Sequence, residues 1–121
     1  MRSTILSMVL VLALAPLSAM AADPNKGKEL FQKCVACHSE QASGSDVGPN
    51  LKGVFGRKAG GLDDFRYSNA MRRAEIVWDE ASLKDFIANP QGKIKGNRMP
   101  FSGFASPGEI DDVVAYLKTL K

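Results

Sequence analysis

Both cysteines and the single histidine of this chain fall within five consecutive residues, Cys34-Val35-Ala36-Cys37-His38. No other feature restricts the chain as much. Two thiols two residues apart, followed at once by an imidazole, form the attachment pattern for a c-type haem. In that chemistry the thiols add to the two vinyl groups of one porphyrin, and the adjacent imidazole is placed under the iron as an axial ligand. Zinc would ask for four ligands, usually with a second Cys or His pair, and the sequence has no such pair. A dithiol oxidoreductase would set the cysteines at a helix start after a strand, in a βαβ context that the flanking residues do not supply. That reading and a plain structural disulfide stand as the alternatives to haem.

The start of the chain reads as a targeting signal. Met1-Arg2, an apolar stretch from Ile5 to Leu17 and then Ala19-Met20-Ala21 give the charged start, apolar middle and small-residue cleavage site of a secretory signal. We expect residues 1–21 to be a cleaved signal peptide and residues 22–121 to form one domain. The alternative is a membrane anchor, but the apolar run falls short of the ~20 residues that a spanning helix needs, and Pro16 and Ser18 close it early. No permanent membrane anchor is therefore expected. Losing the signal removes Arg2 and leaves fifteen basic against thirteen acidic residues, a formal charge of +2. So small an excess, without interleaved basic and aromatic runs, argues against nucleic acid as a partner. A domain of this size has a marginal apolar core of its own, so a covalent or metal staple is expected.

Three helices are expected from periodicity and end signals. Asp23-Pro24 opens the first, with Gly27, Leu30, Phe31 and Cys34 on one stripe leading into the cysteine motif. Asp79 caps a second, where Leu83, Phe86 and Ile87 fall at helical spacing before a stop at Asn89-Pro90. Ser106-Pro107-Gly108-Glu109 has the form of a capping box and precedes Ile110, Val113, Val114 and Leu117 on one face. A short capped helix is expected around Tyr67–Arg73. Residues 39–61, rich in Gly, Ser, Asn and Pro, read as loop, and no strand pattern stands out.

A haem with one histidine needs a second axial partner or keeps an open face. Beyond residue 21 the sulfur candidates are Met71 and Met99. Met99 sits in an aperiodic stretch, Lys93 to Phe101, after the Asn89-Pro90 stop. Met71 falls on the short helix, where core packing is its expected role.

Taken together, these motifs resemble the soluble class I cytochromes c of mitochondria and bacteria. The likeness covers nearly the whole chain beyond the signal. It rests on Cys34 to His38, Gly27 with Phe31, Gly48-Pro49-Asn50-Leu51-Lys52-Gly53-Val54-Phe55-Gly56-Arg57, Phe65, Tyr67, Trp78, Leu83, Asn89-Pro90, Met99 with Phe101, and Tyr116-Leu117-Lys118. It implies an all-α cytochrome c fold: three main helices plus a short one, with long loops wrapped around one covalently bound haem c. Cys34 and Cys37 would hold the haem, His38 and Met99 would bind the iron, and the Pro49 carbonyl would accept a bond from the other nitrogen of His38. Arg57, Tyr67 and Trp78 would lie near the haem propionates, and Phe101 would cover the haem edge. The first and last helices would cross where Gly27 and Phe31 meet Tyr116.

The chain departs from the commoner family pattern at three positions. Phe86 stands where many relatives have a tyrosine whose hydroxyl contacts the methionine sulfur. Lys95 replaces a usual proline and Asn97 a usual threonine. The expectation is a looser methionine loop, which loses Met99 at high pH with Lys95 as its replacement.

The function implied is periplasmic one-electron transfer by a low-spin His/Met haem, with no catalysis of its own. Suitable partners are a quinol-cytochrome c reductase, a terminal oxidase, a photosynthetic reaction centre or a periplasmic dehydrogenase, docking on a monomer. Lys33, Lys52, Lys93, Lys95 and Arg98 would supply a weakly basic docking face. The alternatives are a dedicated haem subunit of a periplasmic dehydrogenase, or a small haem enzyme or sensor if Met99 is labile.

Overall fold

The computed structural model describes residues 9–13, 21–40 and 46–121. Most of the expected signal peptide, and residues 41–45 of the loop after the cysteine motif, lie outside the described residues. Among the described residues no helix is long and apolar enough to cross a membrane.

The first helix, α1 (Pro24–Leu30), begins where expected. Asp23 is extended, and its carboxylate accepts the backbone N–H of Asn25 at 2.9 Å while Pro24 takes the first helical position. The helix tightens into a 3-10 turn, Phe31–Lys33, whose end delivers Cys34. Two further turn bonds follow, from Cys37 N–H and His38 N–H to the Cys34 carbonyl at 3.1 and 2.8 Å. The cysteine motif is therefore wound onto the C-terminal end of α1.

The short helix α2 (Asn69–Arg72) is capped by Ser68, whose hydroxyl accepts the Met71 N–H at 3.0 Å. Helix α3 (Glu80–Ala88) opens on a reciprocal box. The Asp79 carboxylate accepts the Ser82 N–H at 2.8 Å, and the Asp79 N–H donates to the Ser82 hydroxyl at 2.9 Å. Asn89-Pro90 does stop α3, but it also starts a one-turn helix that the sequence reading left as loop, α4 (Pro90–Lys93). The Asn89 side chain accepts the Gly92 N–H at 3.0 Å, and Pro90 supplies the first helical φ. One dipeptide thus ends one helix and caps the next.

The last helix, α5 (Pro107–Leu117), carries its apolar face as the period predicts, with Ile110, Val113, Val114 and Leu117 buried. The expected capping box is not formed. Ser106 is extended at the N-cap position but its hydroxyl makes no capping bond. Pro107 at the first position and Glu109 in the first turn support the helix start instead. The architecture is helical, with no strand among the described residues beyond an isolated bridge between Lys58 and Val77.

Helices α1 and α5 pack tightly against each other at Gly27. A Cβ on Gly27 would collide with the Asp112 carbonyl and lie 2.9 Å from the Tyr116 Cβ. The Asp112 carboxylate accepts the Asp23 N–H at 2.8 Å, and the Phe31 and Tyr116 rings meet at 5.1 Å. Helix α3 joins α5 through Leu83, Phe86 and Ile87 in the same core cluster. Outside, Lys84 reaches Glu80 and Asp111, and Lys118 reaches Glu80, but such half-exposed pairs contribute little.

Two predictions follow from this crossing. Gly27→Ala should lower the unfolding free energy by about 1–3 kcal/mol or more in denaturant titrations, as overpacking against a fixed backbone does. Gly108→Ala, whose nearest obstacle is the Ser106 hydroxyl at 3.8 Å, should cost nothing. The second concerns Tyr116, whose hydroxyl donates to the Glu40 carboxylate. Burial first, and then the Glu40 contact, push the phenol from its ordinary value near 10 up to about 12. A folded-state value above the unfolded one means that this contribution is complete below pH 10 and is lost as pH rises through about 12. Tyr116→Phe should therefore flatten the fall in stability over that window relative to wild type, measured by denaturant unfolding at each pH.

Candidate haem site

A cleft of about 330 Å³ opens between the cysteine motif, the loop from Asp46 to Arg57, helix α2 and the segment around Met99. That volume lies at the lower end of the ~300–1,000 Å³ usual for cofactor sites. Cys37, His38, Pro49, Arg57, Tyr67, Trp78 and Met99 all line it. Cys34 and Phe101 do not. Cys34 packs, half-buried, against the core at the end of the 3-10 turn, and Phe101 turns toward Phe104 with ring centroids 5.2 Å apart.

His38 is held from two sides. Its Nδ1 lies 2.8 Å from the Pro49 carbonyl oxygen. A carbonyl only accepts, so the proton sits on Nδ1 and Nε2 keeps its lone pair. Gly48 backs the ring: a Cβ there would stand 3.0 Å from both Cε1 and Nδ1 of the imidazole and 2.7 Å from the Cys37 carbonyl. Burial pushes the imidazole down from its ordinary value, and the bond to Pro49 partly opposes this. The result is a neutral, fixed ring with a single available nitrogen donor.

Cys34 is pushed the other way from a reactive thiol. Burial and the neighbouring Cys37 raise its pKa, while Lys33 lowers it. A dithiol oxidoreductase needs a depressed thiol at a helix N-terminus. Here the pair follows the C-terminal end of a helix.

One side of the cleft is polar. The Arg57 guanidinium donates to the Asn50 carbonyl at 2.7 Å and to the Lys52 carbonyl, so its fork is fixed by the backbone it spans. Burial lowers its pKa, opposed by Tyr67 and Asp64. Burial also raises the Tyr67 phenol, whose oxygen accepts the Leu62 N–H at 3.4 Å. Trp78 stacks at 5.0 Å on Phe86, and both are buried cleft-wall rings.

Met99 reaches the cleft from the segment after α4. Its backbone N–H donates to the Asn97 side-chain oxygen at 2.9 Å. Asn97 is buried, and its amide donates to the Pro90 and Ile94 carbonyls at 2.9 and 2.8 Å. The amide side chain at this position thus joins two carbonyls and the Met99 N–H. Lys95 is exposed on the preceding turn. Met71, the other sulfur candidate, for which core packing is the expected role, lines the cleft as well as packing on the core. The Ser68 cap three residues earlier fixes the turn that aims it, and that cap is visible in the sequence.

The donor set fits one chemistry. A thiol pair, a neutral imidazole with one lone pair, a thioether and an apolar aromatic wall with cationic and hydroxyl donors along part of it suit a flat, partly anionic metalloporphyrin. The fold and the site therefore define a small helical c-type haem domain.

Comparison with known proteins gives the same answer. The cytochrome c family model matches residues 24–121. Cytochrome c2 iso-2 of Magnetospirillum fulvum is 46% identical over 90 residues, covering 74% of this chain and 94% of that one. Cytochrome c2 of Agrobacterium tumefaciens is 43% identical over 99 residues, covering 78% and 89%. Among solved structures, cytochrome cH from Methylobacterium extorquens superposes with a TM-score of 0.76 at 43% identity, over 81% of this chain and 99% of that one. This chain belongs to the cytochrome c family, as a class I monohaem member with one covalently bound haem c, and it is an electron carrier.

Proposed function

We propose that the protein is a periplasmic one-electron carrier whose haem is attached through Cys34 and Cys37 and ligated by His38 and Met99. The observation that supports this most is that Cys37, His38 and Met99 line one cleft, with His38 Nδ1 taken up by the Pro49 carbonyl so that its lone pair is on Nε2. The haem supplies the one-electron ferric/ferrous couple. Around it the chain's residues have distinct tasks. Pro49 and Gly48 hold the imidazole and make it a stronger donor. Met99 offers a soft sulfur that favours the reduced state and raises the potential. Val54, Trp78 and Phe86 exclude water. Arg57, Tyr67 and Trp78 line the cleft and would hold the haem propionates. If His38 and Met99 both held the iron, no position would be left on it for substrate, and outer-sphere electron transfer is the chemistry such an arrangement would serve.

Met71 is the rival sulfur, since it shares the cleft. Both methionines pack against the core; Met71 is carried on the capped turn of α2, and Met99 on the segment after α4 whose backbone N–H is held by the buried Asn97. The partners are redox proteins of the kinds named above, met transiently. Of the five basic residues expected to form the docking face, Lys93 pairs with Asp85 at 3.2 Å and Lys33 sits over the Phe104 ring at 5.3 Å. Lys52 and Lys95 are exposed, and Arg98, also exposed, donates to the Arg66 carbonyl. Docking should be weak, fast and slowed by salt.

The test is the absorption spectrum of the haem-loaded protein, oxidised and reduced, with carbon monoxide added to the reduced form. A red-region iron–sulfur band when oxidised and no response to carbon monoxide are expected. Ready carbon monoxide binding would overturn the closed-site reading in favour of a haem enzyme or sensor. A second prediction concerns Gly48→Ala. Crowding the imidazole away from Pro49 weakens its basicity, so the reduction potential should rise in voltammetry while the spectrum stays that of a c-type haem.

A further inference from the structure

We propose that Asn97 is a positioning residue for Met99, and that its bonds set how readily Met99 gives way to another ligand. The inference rests on the reading of Met99 as the axial ligand. Asn97 is 6% exposed and bonds the chain around it through both its amide and its backbone. Its amide nitrogen donates to Pro90 and Ile94, its amide oxygen accepts from Met99 N–H, and its backbone N–H donates to the Ile94 carbonyl at 3.1 Å. Gln91 buttresses the same turn from outside: its amide nitrogen donates to the Asn97 carbonyl at 2.7 Å, and its oxygen accepts the Gly96 N–H at 3.1 Å. Gly96, at φ 93°, supplies the left-handed turn that lets the chain fold back on α4.

The consequence is a clamp. Helix α4 is only one turn long, yet Asn97 and Gln91 tie the residues that follow it onto its own carbonyls and side chains. For Met99 to swing out with its backbone, several of these bonds must open together, and the two donated by the Asn97 amide are buried. Segments held by few bonds open often; this one is opposed because the two buried amide bonds of Asn97 must break together with those of Met99 N–H and Gln91. The conformational step that precedes ligand exchange is therefore opposed by Asn97 itself, whereas the exposed Lys95 is free to compete only after that opening.

The experiment uses the haem-loaded protein, wild type and the variants Asn97→Ala and Gln91→Ala. It reads the affinity of ferric protein for imidazole and the pH at which the iron–sulfur band is lost, with global stability from denaturant unfolding alongside. Asn97→Ala should bind imidazole about tenfold more tightly and lose the band about one pH unit earlier, the scale set by breaking bonds to buried groups. Gln91→Ala changes an exposed residue and should mature normally even if Asn97→Ala does not. It should move both readings in the same direction, by about threefold in affinity. Unchanged imidazole affinity in the variants, with only global stability lowered, would overturn the proposal and leave Asn97 a structural residue. A wild-type protein without the band would instead overturn the Met99 reading, and this proposal with it.

Discussion

The contact on which the rest of this structure depends is the crossing of the first and last helices at Gly27. The absence of a side chain there lets α1 lie against the Asp112 carbonyl, and Phe31 and Tyr116 then close the core on one side of the crossing. Since the cysteine motif is wound onto the end of α1, the crossing also sets where Cys34, Cys37 and His38 stand relative to everything packed on α5. Helix α3 is added to the same seam by Leu83, Phe86 and Ile87, and Phe86 is both a core residue and a cleft wall. A chain of this size has little apolar surface to bury on its own, so a core that continues into a cofactor cleft is a physical economy of area.

The loops around the cleft are held by turn and bridge bonds such as Leu51 N–H to Ser39 and Gly56 N–H to Trp78, and further by side chains bonded to main-chain carbonyls. Arg57 spans the Asn50 and Lys52 carbonyls, His38 takes that of Pro49, and Asn97 takes those of Pro90 and Ile94. The carbonyls of Pro49, Asn50, Pro90 and Ile94 lie on residues that are buried or half-buried, where such bonds count most. Long loops are thereby made specific without secondary structure, and the residues that fix them are those that stand beside the expected ligands.

Much of this was legible in the sequence because it follows from local rules. The cysteine motif, the caps at Asp23, Ser68 and Asp79, and the period of Ile110, Val113, Val114 and Leu117 each act over a few residues and were read as such. Helix α4 was not, because a four-residue turn containing Pro90 and Gly92 has no period to read. Ser106 shows the converse: the capping pattern is present but its bond is not made. The partners of Asn97 were not legible, since they are carbonyls that only the fold brings within reach. Met71 lines the cleft for a reason no spacing shows, the way the capped turn of α2 faces the segment around Met99.

The central claim is that Met99, and not Met71, completes the iron site opposite His38. It is tested most directly by proton NMR of the reduced haem-loaded protein, in which a methionine methyl held over the porphyrin face is shifted far upfield. The account predicts one such signal, retained in Met71→Leu and lost in Met99→Leu. A shifted methyl that disappears with Met71 and persists without Met99, or no shifted methyl at all, would contradict it.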